Sequence, residues 1–323
     1  VKEQPITSDQ GDEAYWSGEI VVSEYFSHAV HADDSVALML SSPRVGERFK
    51  QVARDYPSLM RMGSIQRAGR FLIEPVLTDI RNRPEDARGA AYDRRLAIAL
   101  SLLSHIAADS YFKPVYREIA TEYYDNEYRH SPSDMRIMQD TALWHLRREM
   151  PLAQNDPKYD PLVFEHALRF TSQQSAEQAR HLEHMFGGLI VQQLLQLHEL
   201  YPEGADAGRM LRGYIIALDP IYIDTARYAD LSAQPYLNHA QRYLIEPRFY
   251  DPADPFIALS VDVQNGADPD PDRLQEAMST DPATLSQWGT SLRFAVEFFE
   301  SAQRYVDGEI ALGEFTSSLE LED

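Results

Sequence analysis

One stretch constrains this chain more than any other: AAYDRRLAIALSLLSHIAAD, residues 90–109. Apolar residues recur in it at spacings of three and four, the period of one face of an α-helix. Arg94 and Arg95 sit toward one end, and His105 and Asp109 close the other. A helix this apolar is stable only inside a shell of other elements, so it is read as the central element of the fold. The shell is expected to be helical as well. Residues 20–40 keep the same rhythm and bring His28 and His31 nearly onto one face, until Ser41-Ser42-Pro43 ends the segment. Shorter amphipathic helices are expected over 44–56, with a stop near Pro57, and over 60–80, with Pro75 as a kink or boundary. Further helices are expected over 115–129, 134–149, 163–201, 207–228, 235–246 and 286–306. Alternation of β-branched residues is nearly absent, so the expected class is all-α, a multi-helical bundle with additional C-terminal helices.

Proline marks the organisation. MPLAQNDPKYDP, residues 150–161, places three prolines among Asn and Asp. It is read as the boundary between a helical unit over 1–150 and a C-terminal helical region over 160–316 packed against it, or as a seam within one continuous domain. GADPDPDR, residues 266–273, is expected to be an exposed acidic loop, and the acidic tail from Thr316 is expected to fray.

Charge and composition narrow the partners. The 323 residues carry a formal net charge of -21, which disfavours nucleic acid and anionic bilayer surfaces. Only four of the 30 basic residues are lysines, at positions 2, 50, 113 and 158. There is no run of about 18 apolar residues, so no transmembrane segment is expected. The chain has no cysteine, which excludes disulfides, thiolate metal sites and a cysteine nucleophile. It begins at Val1, which points to a missing upstream segment, either a removed signal peptide or a simple boundary. The expected location is periplasmic or secreted, with the cytoplasm as the alternative. No feature signals an oligomeric state.

The chemistry is sought in paired histidines and carboxylates. His105 and Asp109 are four residues apart, so one helix face presents both to a single metal. His130 and Asp134 repeat the spacing, with Pro132 between them. Imidazole nitrogen and carboxylate oxygen together suit Zn²⁺ and its first-row neighbours. Each pair alone is more readily read as a satisfied polar group. His28 and His31, followed by Asp33 and Asp34, form another cluster. Glu177, His181 and His184 share a face but lack the Glu-x-x-His element of a di-iron bundle, and are read as an interhelical polar face. Glycine-rich dinucleotide and phosphate loops, His-Glu-x-x-His and the Gly-x-Ser-x-Gly elbow are all missing.

LSLLSHIAADSYFKPVYREI, His130-x-x-x-Asp134, the early histidines and Met62-Gly63-Ser64-Ile65 together resemble the zinc-dependent phospholipase C family, over roughly Tyr25 to Glu149. The resemblance implies a phospholipase C-like helical fold and a hydrolase that attacks phosphodiesters with a metal-activated water. The implied metal ligands are His28 or His31, His105, Asp109, His130 and Asp134. The family's Pro-Asp pair is replaced by Gln66-Arg67-Ala68, and Lys113 stands where His-Pro would be expected. The residues left would hold one or two zinc ions at most. Asp33 or Asp34 would act as base, and Lys113 would stabilise developing phosphoryl charge. The substrate would be a phosphodiester such as a phospholipid headgroup. The alternative is a helical binding or scaffold protein that kept the fold and lost the metals, with Lys113 neutralising Asp109 or Asp134.

Overall fold

The computed structural model describes residues 25–64, 70–83, 89–124, 143, 146–147, 150–153 and 249–319. Among them are nine α-helices and no strand. Five come from the N-terminal part: α1 (Tyr25–Ser41), α2 (Glu47–Asp55), α3 (Pro57–Ser64), α4 (Arg70–Asn82) and α5 (Ala90–Tyr124). Four come later: α6 (Pro255–Gln264), α7 (Pro271–Met278), α8 (Gln287–Val306) and α9 (Leu312–Ser318). The expected helices over 163–201, 207–228 and 235–246 and the seam at 154–160 lie outside the described residues, as does the helix over 134–149 except for residues 143, 146 and 147, which are helical.

The stretch that opened the sequence reading is the axis of the molecule. From Leu96 to His105 every α5 residue is buried, and the helix touches α1, α2, α3, α4 and α8. That is the environment an all-round apolar helix requires. α5 does not end at Asp109, as expected, but continues to Tyr124 through Pro114. A proline inside a helix removes one hydrogen bond without forcing an end. Pro75 behaves alike: it lies within α4, on an exposed position. The expected helix over 60–80 is instead two helices, with Pro57 opening α3 rather than only stopping α2. Proline at the first helical position forfeits nothing, because that N–H has no intrahelical acceptor.

Segments far apart in sequence share their cores. One cluster joins Phe49, Met60, Leu77 and Leu96–Leu103 to Phe298, Phe299 and Phe315. A second joins Val30, Leu38 and Ala108 to Phe249, Tyr250, Phe256 and Trp288. Adjacent residues Leu38 and Met39 on α1 enter different clusters, so α1 separates the two. The C-terminal end is also held. Leu319 is buried and the Ser318 and Ser301 hydroxyls lie 2.7 Å apart, so the expected fraying from Thr316 is not what α9 shows.

Three Asp-Pro steps begin helical turns. Asp254, Asp270 and Asp281 each accept a backbone N–H two residues on, and each is followed by proline at the first helical position. α7 therefore starts inside the segment expected to be an acidic loop. Asp254 does more than cap α6. It is buried, and it also accepts from the backbone N–H and the hydroxyl of Ser286, both at 2.9 Å. Ser286 in turn caps α8 by accepting from Gly289 N–H at 2.9 Å. Two helix starts are thus tied through one carboxylate, and α8 comes so near it that only glycine fits at 289. A Cβ there would lie 1.9 Å from Asp254 Oδ2.

A second buried carboxylate ties the early and late segments. Asp34 is wholly buried and accepts from the Arg147 guanidinium, from Trp288 Nε1 at 2.8 Å and from Gln264 Nε2 at 2.6 Å. Arg147 also lies 5.5 Å from the Tyr250 ring centre. Burial beside these groups pushes the Tyr250 phenol up to about 12, so it stays neutral.

Two stability predictions follow from these carboxylates. Gly289→Ala should displace Asp254 and weaken both caps, lowering unfolding free energy by about 2 kcal/mol, at about 1 kcal/mol per cap; urea denaturation would measure it. Asp34→Ala should remove a buried ion-pair partner of Arg147 and cost about 3–5 kcal/mol by the same measurement.

Candidate metal centre

The histidine–aspartate pair on α5 forms the site, and α1 completes it. The His28 and His105 imidazoles and the Asp109 carboxylate each offer a ligand atom, and these three atoms lie within 4.8 Å of one another. It is the one such group of three among the described residues. Asp109 Oδ2 is 3.3 Å from His105 Nε2, and Asp109 Oδ1 is 3.5 Å from His28 Nε2. The two rings stack, with centres 4.5 Å apart and planes inclined by 24°. Helical geometry produces the first contact, since positions four apart share a face. The second arises where α1 packs against α5.

The site is half closed. The His28 and His105 side chains are 5% and 9% exposed, and the Asp109 side chain is 21% exposed. A carboxylate therefore faces the opening, and the imidazoles form the floor.

His105 is held from behind. Its Nδ1 lies 2.6 Å from the carbonyl of Ser64, the last residue of α3. A carbonyl oxygen only accepts, so Nδ1 carries a proton and Nε2 is the atom presented to Asp109. Nε2 then either carries a second proton for the carboxylate or faces it across a cation. Two bare lone pairs at that distance would repel.

The donor chemistry fits a first-row metal. Two imidazole nitrogens and one carboxylate oxygen are hard-to-borderline donors suited to Zn²⁺ and its neighbours. Ligand atoms in a tetrahedral zinc site stand about 3.4 Å apart, given bonds of about 2.1 Å. Each nitrogen–oxygen separation is near that spacing, one through each oxygen of Asp109, and one ligand atom from each of the three residues lies within 4.8 Å of the others. Among the described residues the group supplies three ligands.

His31, the other early candidate, is not part of this group. It is wholly buried and joins α1, α5 and α8. Its Nε2 is 3.0 Å from Ser291 Oγ, whose own hydrogen goes to the Trp288 carbonyl at 2.7 Å. Nε2 is therefore assigned the proton, and Nδ1 accepts. The Ser104 and Ser35 hydroxyls lie 2.9 and 3.3 Å from Nδ1; Ser104 donates to Ser35 at 3.2 Å, which leaves the Ser35 hydroxyl as the donor to Nδ1. Burial foremost, then the neighbouring His28 and, to a lesser extent, His105, hold the His31 pKa well below its ordinary value, while its hydrogen bond at Ser291 opposes them. His31 is a neutral structural group.

The two carboxylates expected as bases are engaged elsewhere. Asp33 pairs with Arg61, whose Nε lies 2.8 Å from Oδ1 and 3.1 Å from Oδ2. Asp34 belongs to the Arg147 and Trp288 network. His130 and Asp134 lie outside the described residues, as do Glu177, His181 and His184. α5 carries Lys113 one turn beyond Asp109, and its side chain also lies outside them. The Ser64 carbonyl and Arg147 were not foreseen. The serines were readable: Ser101 and Ser104 interrupt an otherwise apolar helix interior, where polar groups need partners.

No protein-family model, no curated protein and no solved structure matches this chain. Among the described residues the geometry is all-helical and holds a His/His/Asp group able to chelate a metal ion. No described helix is long and apolar enough to cross a membrane.

The His31 network makes stability depend on pH. In the unfolded chain this imidazole titrates near about 6.5. Its folded value is well below that, so in between the unfolded state binds more protons. Its contribution to stability is complete above about pH 6.5 and is lost as pH falls toward the folded value. Urea denaturation at pH 7.5 and 5.5 should show a larger drop for wild type than for His31→Gln, by about 1.4 kcal/mol. Equal drops would remove His31 from the acid response.

Proposed function

We propose that this protein is a metal-dependent phosphodiester hydrolase, with His28, His105 and Asp109 holding one zinc ion. The observation that carries the reading is the convergence of two imidazole nitrogens and one carboxylate within 4.8 Å of one another, with the carboxylate the most exposed of the three. The phosphodiester class rests on the resemblance of the His105–Asp109 segment to zinc-dependent phospholipases C. A metal held there would supply Lewis-acid activation of water near neutral pH.

The chain's own residues have assigned tasks in this reading. His28 and His105 fix the ion against the α1–α5 seam, and the stacked rings exclude water from the floor. Asp109 binds through one oxygen and keeps the other to accept a proton at the mouth of the site. Lys113 stands one turn further along α5 and is proposed to stabilise negative charge on the substrate. Asp33 and Asp34, already paired with arginines, take no part as bases. His130 and Asp134 remain the proposed further ligands.

The competing reading is a binding or scaffold protein with a closed polar network. One observation favours it: Asp109 already lies within ion-pair distance of both histidines. Zinc titration of chelator-treated protein, followed by bis(p-nitrophenyl) phosphate hydrolysis, separates the two. The expected result is stoichiometric binding with turnover, and loss of both in His105→Ala by more than about 100-fold, with unchanged helicity. Binding of no first-row metal by the wild type would favour the scaffold reading.

A further inference from the structure

The last turn of α3 stands in an unusual relation to the metal centre. Ser64 is the last described residue of α3, and its carbonyl faces the central helix. His105 Nδ1–H satisfies it at 2.6 Å. Metal-binding histidines are commonly oriented by such a bond at the nitrogen remote from the ion. The Ser64 hydroxyl is also occupied, donating to the Arg61 carbonyl at 2.7 Å, which closes the same turn.

What seats that turn against α5 is the residue before it. A Cβ at Gly63 would lie 2.6 Å from Ser101 Cβ, 2.7 Å from Ser101 Oγ and 3.1 Å from the Ile98 carbonyl. Both neighbours belong to the buried stretch of the central helix, so the short helix would have to move. Ser101 contributes a second restraint by donating its hydroxyl hydrogen to the Met60 carbonyl. Ser101 and His105 are one turn apart on α5, so the anchored serine and the oriented histidine meet the same face of α3.

We infer that the Gly63–Ser64 end of α3, seated on Ser101, is a positioning element that locks His105 in its Nδ1–H form and thereby sets the zinc affinity of the His28–His105–Asp109 cluster. The affinity half rests on the metal reading proposed above; the tautomer half stands on the hydrogen bond alone. Gly63 and Ser64 touch no metal. They act through His105.

The test compares the full-length chain with Gly63→Ala, Ser101→Gly and the double variant. Histidine ¹⁵N NMR reads the His105 proton position without metal, and calorimetric titration with zinc chloride reads affinity. In the wild type the Nδ1 proton should be present and hydrogen-bonded. Gly63→Ala should lose that signature and bind zinc about 10–100-fold more weakly, with unchanged circular dichroism. Adding Ser101→Gly removes the colliding Cβ and should recover both readouts only to the level of Ser101→Gly alone, which lacks the hydroxyl that anchors Met60. A folded Gly63→Ala with wild-type zinc affinity overturns the positioning role alone. Absence of zinc binding by the wild type, with the Nδ1 proton in place, overturns the metal reading and the affinity half with it. A wild type lacking the Nδ1 proton overturns the whole inference. If Gly63→Ala does not fold, Ser101→Ala removes only the hydroxyl that anchors Met60, and the same losses, smaller in size, are expected.

Discussion

A helix buried on every side cannot leave a polar side chain unpaired, and this constraint organises the protein. α5 carries Ser101, Ser104, His105 and Asp109 along one side of an otherwise apolar rod. Each unpaired polar group there would cost about 1–3 kcal/mol. The helices that cover this side therefore bring the partners. α3 offers the Met60 and Ser64 carbonyls to Ser101 and His105. α1 offers His31 and Ser35 to Ser104, and His28 to Asp109. Packing and chemistry are met by the same contacts, and the candidate site is where this polar seam reaches solvent.

The two buried aspartates solve the same problem differently. Asp254 is satisfied by neutral donors at helix starts, two of them backbone N–H groups. Asp34 is satisfied by a guanidinium, an indole and an amide from three separate parts of the chain. The first arrangement fixes where α6 and α8 begin. The second specifies which distant segments must meet, a role in which buried ion pairs serve specificity more than stability.

The central helix and the His105–Asp109 pair were legible because both depend on local spacing. Apolar period shows burial, and a separation of four shows a shared face. Partners from elsewhere in the chain were harder to read. His28 and His31 lie three apart on one helix, yet one faces Asp109 and the other three serines, a choice made by how α1 lies on α5 and α8. Asp33 and Asp34 looked like free acids because Arg61 and Arg147 lie 28 and 113 residues away. Proline is harder to read: Pro75, a kink or a boundary by sequence, lies inside α4, Pro114 lies inside α5, and Asp-Pro at 254, 270 and 281 starts helical turns. The Asp-Pro signal was available, because aspartate caps and proline suits the first helical position.

The His31 network has a consequence for how the molecule is made. His31 and Ser291, which share a hydrogen bond, are separated by 260 residues. On the ribosome, α1 emerges long before α8 exists, and an imidazole meant for burial must wait in water or with substitute partners. The α1–α5 seam thus closes fully only after most of the chain has been synthesised. Contacts of such long sequence separation slow folding, because the loop must close before the contact rewards it. Until then His28, His105 and Asp109 stay open to water, and the cluster they form takes shape only with the closing of that seam.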